Sequence, residues 1–368
     1  MRDTQPSEFW LCYRPFAGDC VPVQMVNEVR RAVLQDTAER AREAGFDRVR
    51  VFATEPIADL AVEVTRADDA IGDIVAGAAS DAAGPVCYAG SGMPAMTADD
   101  WSAVLAAIES GNATANRMFS CDWIGVPDGR LLRCAAGEQV DNRFALLIRE
   151  GAEVEVQSFA RSARSLLDVD TPSDLTVLQA AASVGSLEVG ELSAAALSSW
   201  RELDEPVQLA SRVFEVMTRQ DEELMISGRI SGSDWAIVDR DTSCRVRVLS
   251  EERGLRTRQR RARSLLGELY EWAGQDGFLL ALEGMGDATI WDTRPFLSHL
   301  GWNLSRCDRF WADLGCWERI TDKRVRSLVS MLEDSAVLMG GHSLVSGGLL
   351  AGIDAAWTRW ESGRKLSG

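Results

Sequence analysis

Two carboxylates set two residues apart, Asp168 and Asp170, stand in the stretch Leu166-Leu167-Asp168-Val169-Asp170-Thr171-Pro172-Ser173-Asp174-Leu175. On a strand, alternation of side chains puts both acids on one face. There they could hold a metal ion, or one could act as a base. Thr171 then offers a hydroxyl N-cap, Pro172 suits the first helical position, where a missing N–H costs nothing, and Asp174 completes a capping-box pattern. The expectation is a short buried strand that delivers two acids and passes at once into a helix. The same pattern also suits a plain, well-capped helix with solvated acids.

Other residues with chemical potential are scattered more widely. His342, one of two histidines, sits in Met339-Gly340-Gly341-His342-Ser343-Leu344-Val345-Ser346-Gly347-Gly348, which opens the last expected helix. Its glycines allow close backbone approach, and its imidazole could act as acid or base; a helix-packing turn with a structural histidine is the alternative. His299 lies in an apolar stripe and reads as a core histidine. Ser343 and Ser346 lack the strand leading into a Gly-x-Ser-x-Gly elbow that a serine hydrolase needs. Arg245 and Arg247 share one face of an alternating stretch, at the start of the densest charged run, which continues through Arg253, Arg256, Arg258, Arg260, Arg261 and Arg263. This run is either a salt-bridged surface or an anion site. Arg161 and Arg164 just before Asp168 have the same two readings, a solvated loop or an anion contact. Asp122, in an otherwise apolar segment, must be paired if buried, as a structural ion pair or as a site residue.

The elements that must position these groups follow from periodicity. Phe9–Tyr13 reads as a strand, and Val26, Val29, Val33, Leu34, Thr37, Ala38 and Ala41 as a helical stripe ended by Gly45. Residues 47–54 read as a second strand, so the opening is a βαβ unit. Further strands are expected at 85–89, 116–126 and 153–159, with helices near 71–79, 101–108 and 142–149. Open parallel sheets bind ligands outside the carboxyl ends of their strands, which selects the loops 14–24, 90–97 and 160–171. From about Gly185 the periodicity becomes helical at 188–203, 206–220, 259–273, 304–314 and 321–334, interrupted by one alternating stretch at 244–249. The expected architecture is α/β: a three-layer domain with a mostly parallel sheet over residues 1–184, then a mainly α-helical domain over 185–368.

The 368 residues suffice for about two domains. A composition of 46% hydrophobic and 26% charged residues is that of a globular chain, with no apolar run long enough to span a membrane. The amino terminus lacks the order of a secretory signal, and the eight cysteines show no CxxC pair and no regular frame. Buried thiols in a cytoplasmic protein are therefore expected. A net charge of −17 argues against nucleic acid or an anionic membrane as a partner. All but two of the 39 basic residues are arginine, so any cationic contact to an anion falls almost entirely to guanidinium groups.

Three segments of the first half resemble the nucleotidyltransferases with a GT-A-like sheet, in particular the molybdenum-cofactor and phospholactate guanylyltransferase type. Residues 32–37 running through 44–49 look like that family's first helix and second strand. Cys87-Tyr88-Ala89-Gly90-Ser91-Gly92-Met93-Pro94-Ala95-Met96-Thr97 looks like its mid-domain loop, and Asp168–Leu175 is similar to its closing motif. The resemblance covers residues 9–182 and implies nucleotidyl transfer, with Mg²⁺ on Asp168 and Asp170 and a phosphate cradle after the first strand. At that cradle this chain has Arg14-Pro15-Phe16-Ala17-Gly18-Asp19-Cys20 and no lysine, and Gly92 stands where the family carries a metal-binding aspartate.

The function expected is a divergent nucleotidyltransferase-like enzyme acting on a nucleotide or other small anionic metabolite. Asp168 and Asp170 are its candidate catalytic and metal residues, and Arg14, Ser91, Gly92, Asp122, Arg161, Arg164, Arg245 and Arg247 its candidate binding residues. Two alternatives stay open: a non-catalytic binding or scaffold protein, and a repurposed enzyme centred on His342 and arginines. The sequence leaves homo-oligomerisation open.

Overall fold

The computed structural model describes residues 5–66, 68–252 and 262–366. Five arginines of the charged run, at 253, 256, 258, 260 and 261, therefore lie outside the described residues. By its contacts the chain forms two compact units. The first comprises the residues up to Phe16, Asn27–Asp168 and Val189–Ala196; the second comprises Ala17–Val26, Val169–Glu188 and the residues from Leu197 onward.

The first part of the chain supplies strands β1 (Glu8–Tyr13), β2 (Arg48–Ala53), β3 (Val62–Val64), β4 (Val86–Gly90), β5 (Ala113–Ala115), β6 (Trp123–Val126) and β7 (Val156–Ser158). Its helices are α1 (Val21–Glu43), α2 (Ile71–Ala78), α3 (Ala98–Glu109), α4 (Phe144–Gly151), α5 (Ala163–Leu166), α6 (Pro172–Ser183) and α7 (Glu191–Ser198). The strands form one sheet in the order β3-β2-β1-β4-β6-β5-β7, parallel except where β6 runs against β4 and β5. Alternation along β1 sends Phe9, Leu11 and Tyr13 to one face, against Leu34, Ala38 and Ala41 of α1 and Trp101 and Val104 of α3. Trp10 and Cys12 go to the other, against Val75 of α2 and Phe144 and Ile148 of α4. Helices thus cover both faces of a mostly parallel sheet, the three-layer α/β arrangement that the periodicity predicts.

Helices α8 (Asp204–Val216), α9 (Gly232–Asp241), α10 (Leu265–Glu283), α11 (Arg294–His299), α12 (Arg306–Asp313), α13 (Lys323–Met331) and α14 (Gly347–Leu366) follow, and helix does make up most of the second unit. What periodicity missed is the sheet at its centre: β8 (Glu223–Gly228), β9 (Arg245–Ser250), β10 (Ala288–Asp292) and β11 (Val337–Gly340), all parallel, in the order β11-β10-β8-β9. Only β9 was expected. Trp291 and Met339 turn one face of this sheet toward Phe278, Phe296 and Val325. Helices α6 and α8 pack against β11, and α8 also packs against β10.

One pair departs from the reading of the cysteines as thiols: Cys20 and Cys307, both in the second unit, form a disulfide across a sequence separation of 287. Nearby, Arg306 Nη1 donates to the carbonyl of Ala17 at 2.7 Å. The other six cysteines are free. No described helix is long and apolar enough to cross a membrane.

Candidate functional site

In the first unit the strand order reverses between β1 and β4, since β2 and β3 build outward on one side and β6, β5 and β7 on the other. A crevice at the carboxyl ends of those two strands is where such sheets bind ligands. Arg14 follows β1 directly; its Nη2 donates to the carbonyl of Asp69. Arg30 reaches from α1 to the carbonyl of Arg14 at 3.0 Å, with its guanidinium 4.4 Å from the centre of the Phe16 ring. The Nε atoms of Arg14 and Arg30 are both buried and have no acceptor among the described residues. Burial pushes the Tyr13 hydroxyl up, against the pull of Arg31 and Arg30.

Ser91 and Gly92 leave the end of β4 one step beyond the Cys12–Gly90 pairing, so the Ser91 backbone stands at the level of Tyr13. Ser91 is 1% exposed and its hydroxyl is buried without a partner among the described residues. The loop is rigidly held: buried Arg40 donates from Nη1 to the carbonyls of Pro94 and Met96, both at 3.0 Å, while Met93 and Met96 enter the core. Asp122 is half-buried just before β6 and is clasped by Asn116, whose Nδ2 donates to Asp122 Oδ2 at 2.8 Å and whose Oδ1 accepts from the Asp122 N–H at 3.0 Å. Its carbonyl accepts from the Gly90 N–H, which ties it to the end of β4.

Three residues of this edge escaped the sequence reading. Arg30 carried no signal beyond its place on an expected helix, and Tyr88 none beyond its place on a strand. Asp141 opens a short 3-10 helix, Asp141–Arg143, and accepts from the Tyr88 hydroxyl at 2.8 Å. Burial, reinforced by Asp141, pushes the Cys12 thiol up to about 12.

Residues 166–170 form no strand, which corrects the expectation for Asp168 and Asp170. Ser162 and Ser165 close a reciprocal capping box that starts α5 at Ala163, and the chain then runs extended into Thr171. Asp168 is half-buried and groups with the first unit, whereas Asp170 is exposed and groups with the second. Arg164 is exposed and pairs with Asp100 at 2.9 Å, and Arg161 is half-buried. The helix start is as expected. Pro172 is its first residue, and the Oδ2 of Asp174 accepts from the Thr171 N–H at 2.7 Å, the Thr171 hydroxyl at 2.9 Å and the Asp170 N–H at 3.0 Å. Asp174 itself is wholly buried, and its Oδ1 has no partner among the described residues. Burial, reinforced by Asp170, raises its carboxyl to about 7 against those bonds.

In the second unit the order reverses between β8 and β10. Arg229, just past β8, donates from Nε and Nη2 to the wholly buried Asp292 at 2.6 and 3.1 Å. Arg294 grips Asp313 with two bonds of 3.0 and 2.5 Å. His342, half-buried after β11, is close enough to Asp292 to help lower its carboxyl; burial pushes that carboxyl the other way, and Arg229 supplies the largest opposing pull. Arg245 and Arg247 stand toward the amino end of β9, where both bridge to Glu223, at 3.4 and 2.6 Å. His299 accepts from the Ser264 N–H at Nδ1 and faces Glu271 from Nε2 at 3.3 Å. Among the described residues, Glu268, Glu271 and His299 form the one group of three possible metal ligands within 4.8 Å of one another. An imidazole that accepts at Nδ1 carries its proton on Nε2, so His299 is set to donate to Glu271 rather than to bind a cation.

No family model matches this chain, and no curated protein matches it. Among solved structures it is similar to a candidate nucleotide-diphospho-sugar transferase from Desulfovibrio desulfuricans, at 17% identity and a TM-score of 0.43, over 56% of this chain and 98% of that one.

Proposed function

We propose that the first unit binds the anionic part of a nucleotide or other small anionic metabolite at the carboxyl edge of β1 and β4, as a divergent nucleotidyltransferase-like domain. The observation behind this reading is a set of buried donors at the two strand ends, Arg14 Nε, Arg30 Nε and the Ser91 hydroxyl, each without a partner among the described residues. A buried donor left unmatched costs about 1–3 kcal/mol, and more when charged. A phosphate or carboxylate oxygen is the group that would recover that cost, most fully at guanidinium N–H.

The chemistry around this edge favours binding over efficient transfer. Nucleotidyl transfer depends on neutralising charge that develops on phosphate oxygens, commonly through a metal. Gly92 offers no carboxylate, and no lysine follows β1. Magnesium is commonly held by one or two carboxylates together with substrate phosphates, and in the first unit the half-buried Asp168 is the acid that would contribute.

Thermal unfolding with each of the four nucleoside triphosphates at millimolar concentration, with and without Mg²⁺, tests the proposal. Ligand at ten times its Kd stabilises by about 1.4 kcal/mol, and Arg14→Gln is expected to abolish the shift. No shift with any triphosphate under either condition ends the nucleotide reading. Pyrophosphate release separates transfer from binding, and Asp168→Asn is expected to remove the Mg²⁺-dependent part of the shift.

A further inference from the structure

We propose that the carboxyl edge of the second unit's sheet is a separate binding site for a small ligand bearing a phosphate or carboxylate group, with Arg229 as the residue that receives it. Counted within that unit, the strands lie in the order 2-1-3-4, so the reversal falls between β8 and β10 and opens a crevice at their carboxyl ends. The residues at those two ends are Gly228-Arg229 and Asp292-Thr293-Arg294.

Arg229 is half committed. Its Nε–Nη2 edge and its own N–H all go to Asp292, while Nη1 has no partner among the described residues and is not among the buried atoms. The side chain is 18% exposed and Asp292 fully enclosed. A guanidinium gripped along one edge by a buried carboxylate presents its remaining N–H groups in a fixed direction, so little side-chain freedom is left to lose when an oxyanion arrives. Gly228 makes this grip possible. A side chain there would start 2.3 Å from the Asp292 Cβ, and its φ of +139° is one that glycine adopts freely.

Among the described residues, the arginines on the neighbouring strands and their ends are already engaged. Arg294 has both ends of its fork on Asp313 and donates to Thr293 as well. Arg245 and Arg247 serve Glu223 at the amino end of the strands. Asp292 balances the charge of Arg229, so what the edge offers an anion is an oriented N–H donor rather than net positive charge. Asp313 is matched by Arg294, and burial pushes the carboxyls of Glu251 and Asp174 up, toward their neutral forms. His342, near Asp292, adds a group able to donate to the same anion. All of these residues lie in the second unit, so the proposal stands apart from the reading of the first.

Arginine modification by phenylglyoxal, read peptide by peptide by mass spectrometry on the intact wild-type protein, tests this without requiring any variant to fold. Inorganic phosphate and succinate are the two probes, and Arg240, 71% exposed in the same unit, is the reference. Expected is saturable protection of Arg229, about tenfold at ten times the Kd, with Arg240 unchanged. Protection by phosphate alone assigns a phosphate-bearing ligand, and protection by succinate alone a carboxylate. Equal reactivity of Arg229 with and without both anions, or protection that Arg240 shares, overturns the proposal. Arg229→Lys keeps a charge for Asp292 but loses the fork. With its unfolding midpoint near that of the wild type, it should bind the protecting anion at least about tenfold more weakly.

Discussion

Burial holds the Asp174 carboxyl near 7 even though three donors converge on one of its oxygens. The folded group therefore keeps its proton after the unfolded chain, with an ordinary carboxyl, has released it. Between about pH 4 and 7 the unfolded state binds fewer protons, so this residue makes stability fall as pH rises, and its contribution is flat above about 7. The gap between an ordinary carboxyl and one near 7 corresponds to about 4 kcal/mol at most. Asp174→Asn is expected to remove that slope in urea titrations run from pH 4 to 8, and an unchanged slope would count against a protonated Asp174. The neighbouring Arg294–Asp313 pair makes the opposite kind of prediction: Arg294→Met strands a buried carboxylate and should cost about 3–5 kcal/mol in the same assay. At this scale the sequence was readable where chemistry is local. The Thr171, Pro172 and Asp174 pattern announces its helix because capping depends on residues three apart. The grip of Arg229 on Asp292 was not readable, because 63 residues separate the partners.

Capping also explains why the strand expected at 166–170 is absent. Ser162 and Ser165 satisfy each other's backbone and start a short helix, which takes up the residues that would have led into a strand. The strands missed in the second unit, Leu224-Met225-Ile226, Thr289-Ile290-Trp291 and Val337-Leu338-Met339, are short runs buried on both faces. Such runs show no alternation and cannot be told by period from buried helix. The segment 189–196 belongs to the first unit for a reason equally invisible to periodicity. Asp36 on α1 accepts from the N–H groups of Leu192 and Ser193 and from the Ser193 hydroxyl, capping the start of α7. Gly190 passes so close that a Cβ there would lie 2.2 Å from that carboxyl. Asp36→Ala leaves those buried donors unmatched and should cost about 2–4 kcal/mol. Limited proteolysis should then find its first cut within residues 186–196; wild-type resistance there would show that something other than Asp36 anchors the segment.

Each unit is an α/β body with its own sheet, mostly parallel in the first and wholly parallel in the second, and in each the candidate ligand edge lies where the strand order reverses. The Cys20–Cys307 bond adds a covalent level to this organisation. It persists in an oxidising compartment and opens in a reducing cytoplasm, so thiol trapping in intact cells reports where the protein resides. By loop-closure entropy alone, a bridge across 287 residues is worth between about 5 and 6 kcal/mol. Dithiothreitol should therefore lower the unfolding midpoint, as should Cys307→Ser. The bond also turns most of the polypeptide into a ring, with every residue of the first unit from Asn27 onward inside it. Pulled by its two ends, the oxidised chain can release only the stretches outside the ring, roughly 290 Å at full extension, against roughly 1,290 Å once reduced. Among the described strands, β1 of the larger sheet and β11 of the smaller lie on the tensioned stretches, β1 as an interior strand and β11 at an edge. A force on the amino terminus therefore enters the larger sheet through an interior strand, and one on the carboxyl terminus enters the smaller sheet at its edge.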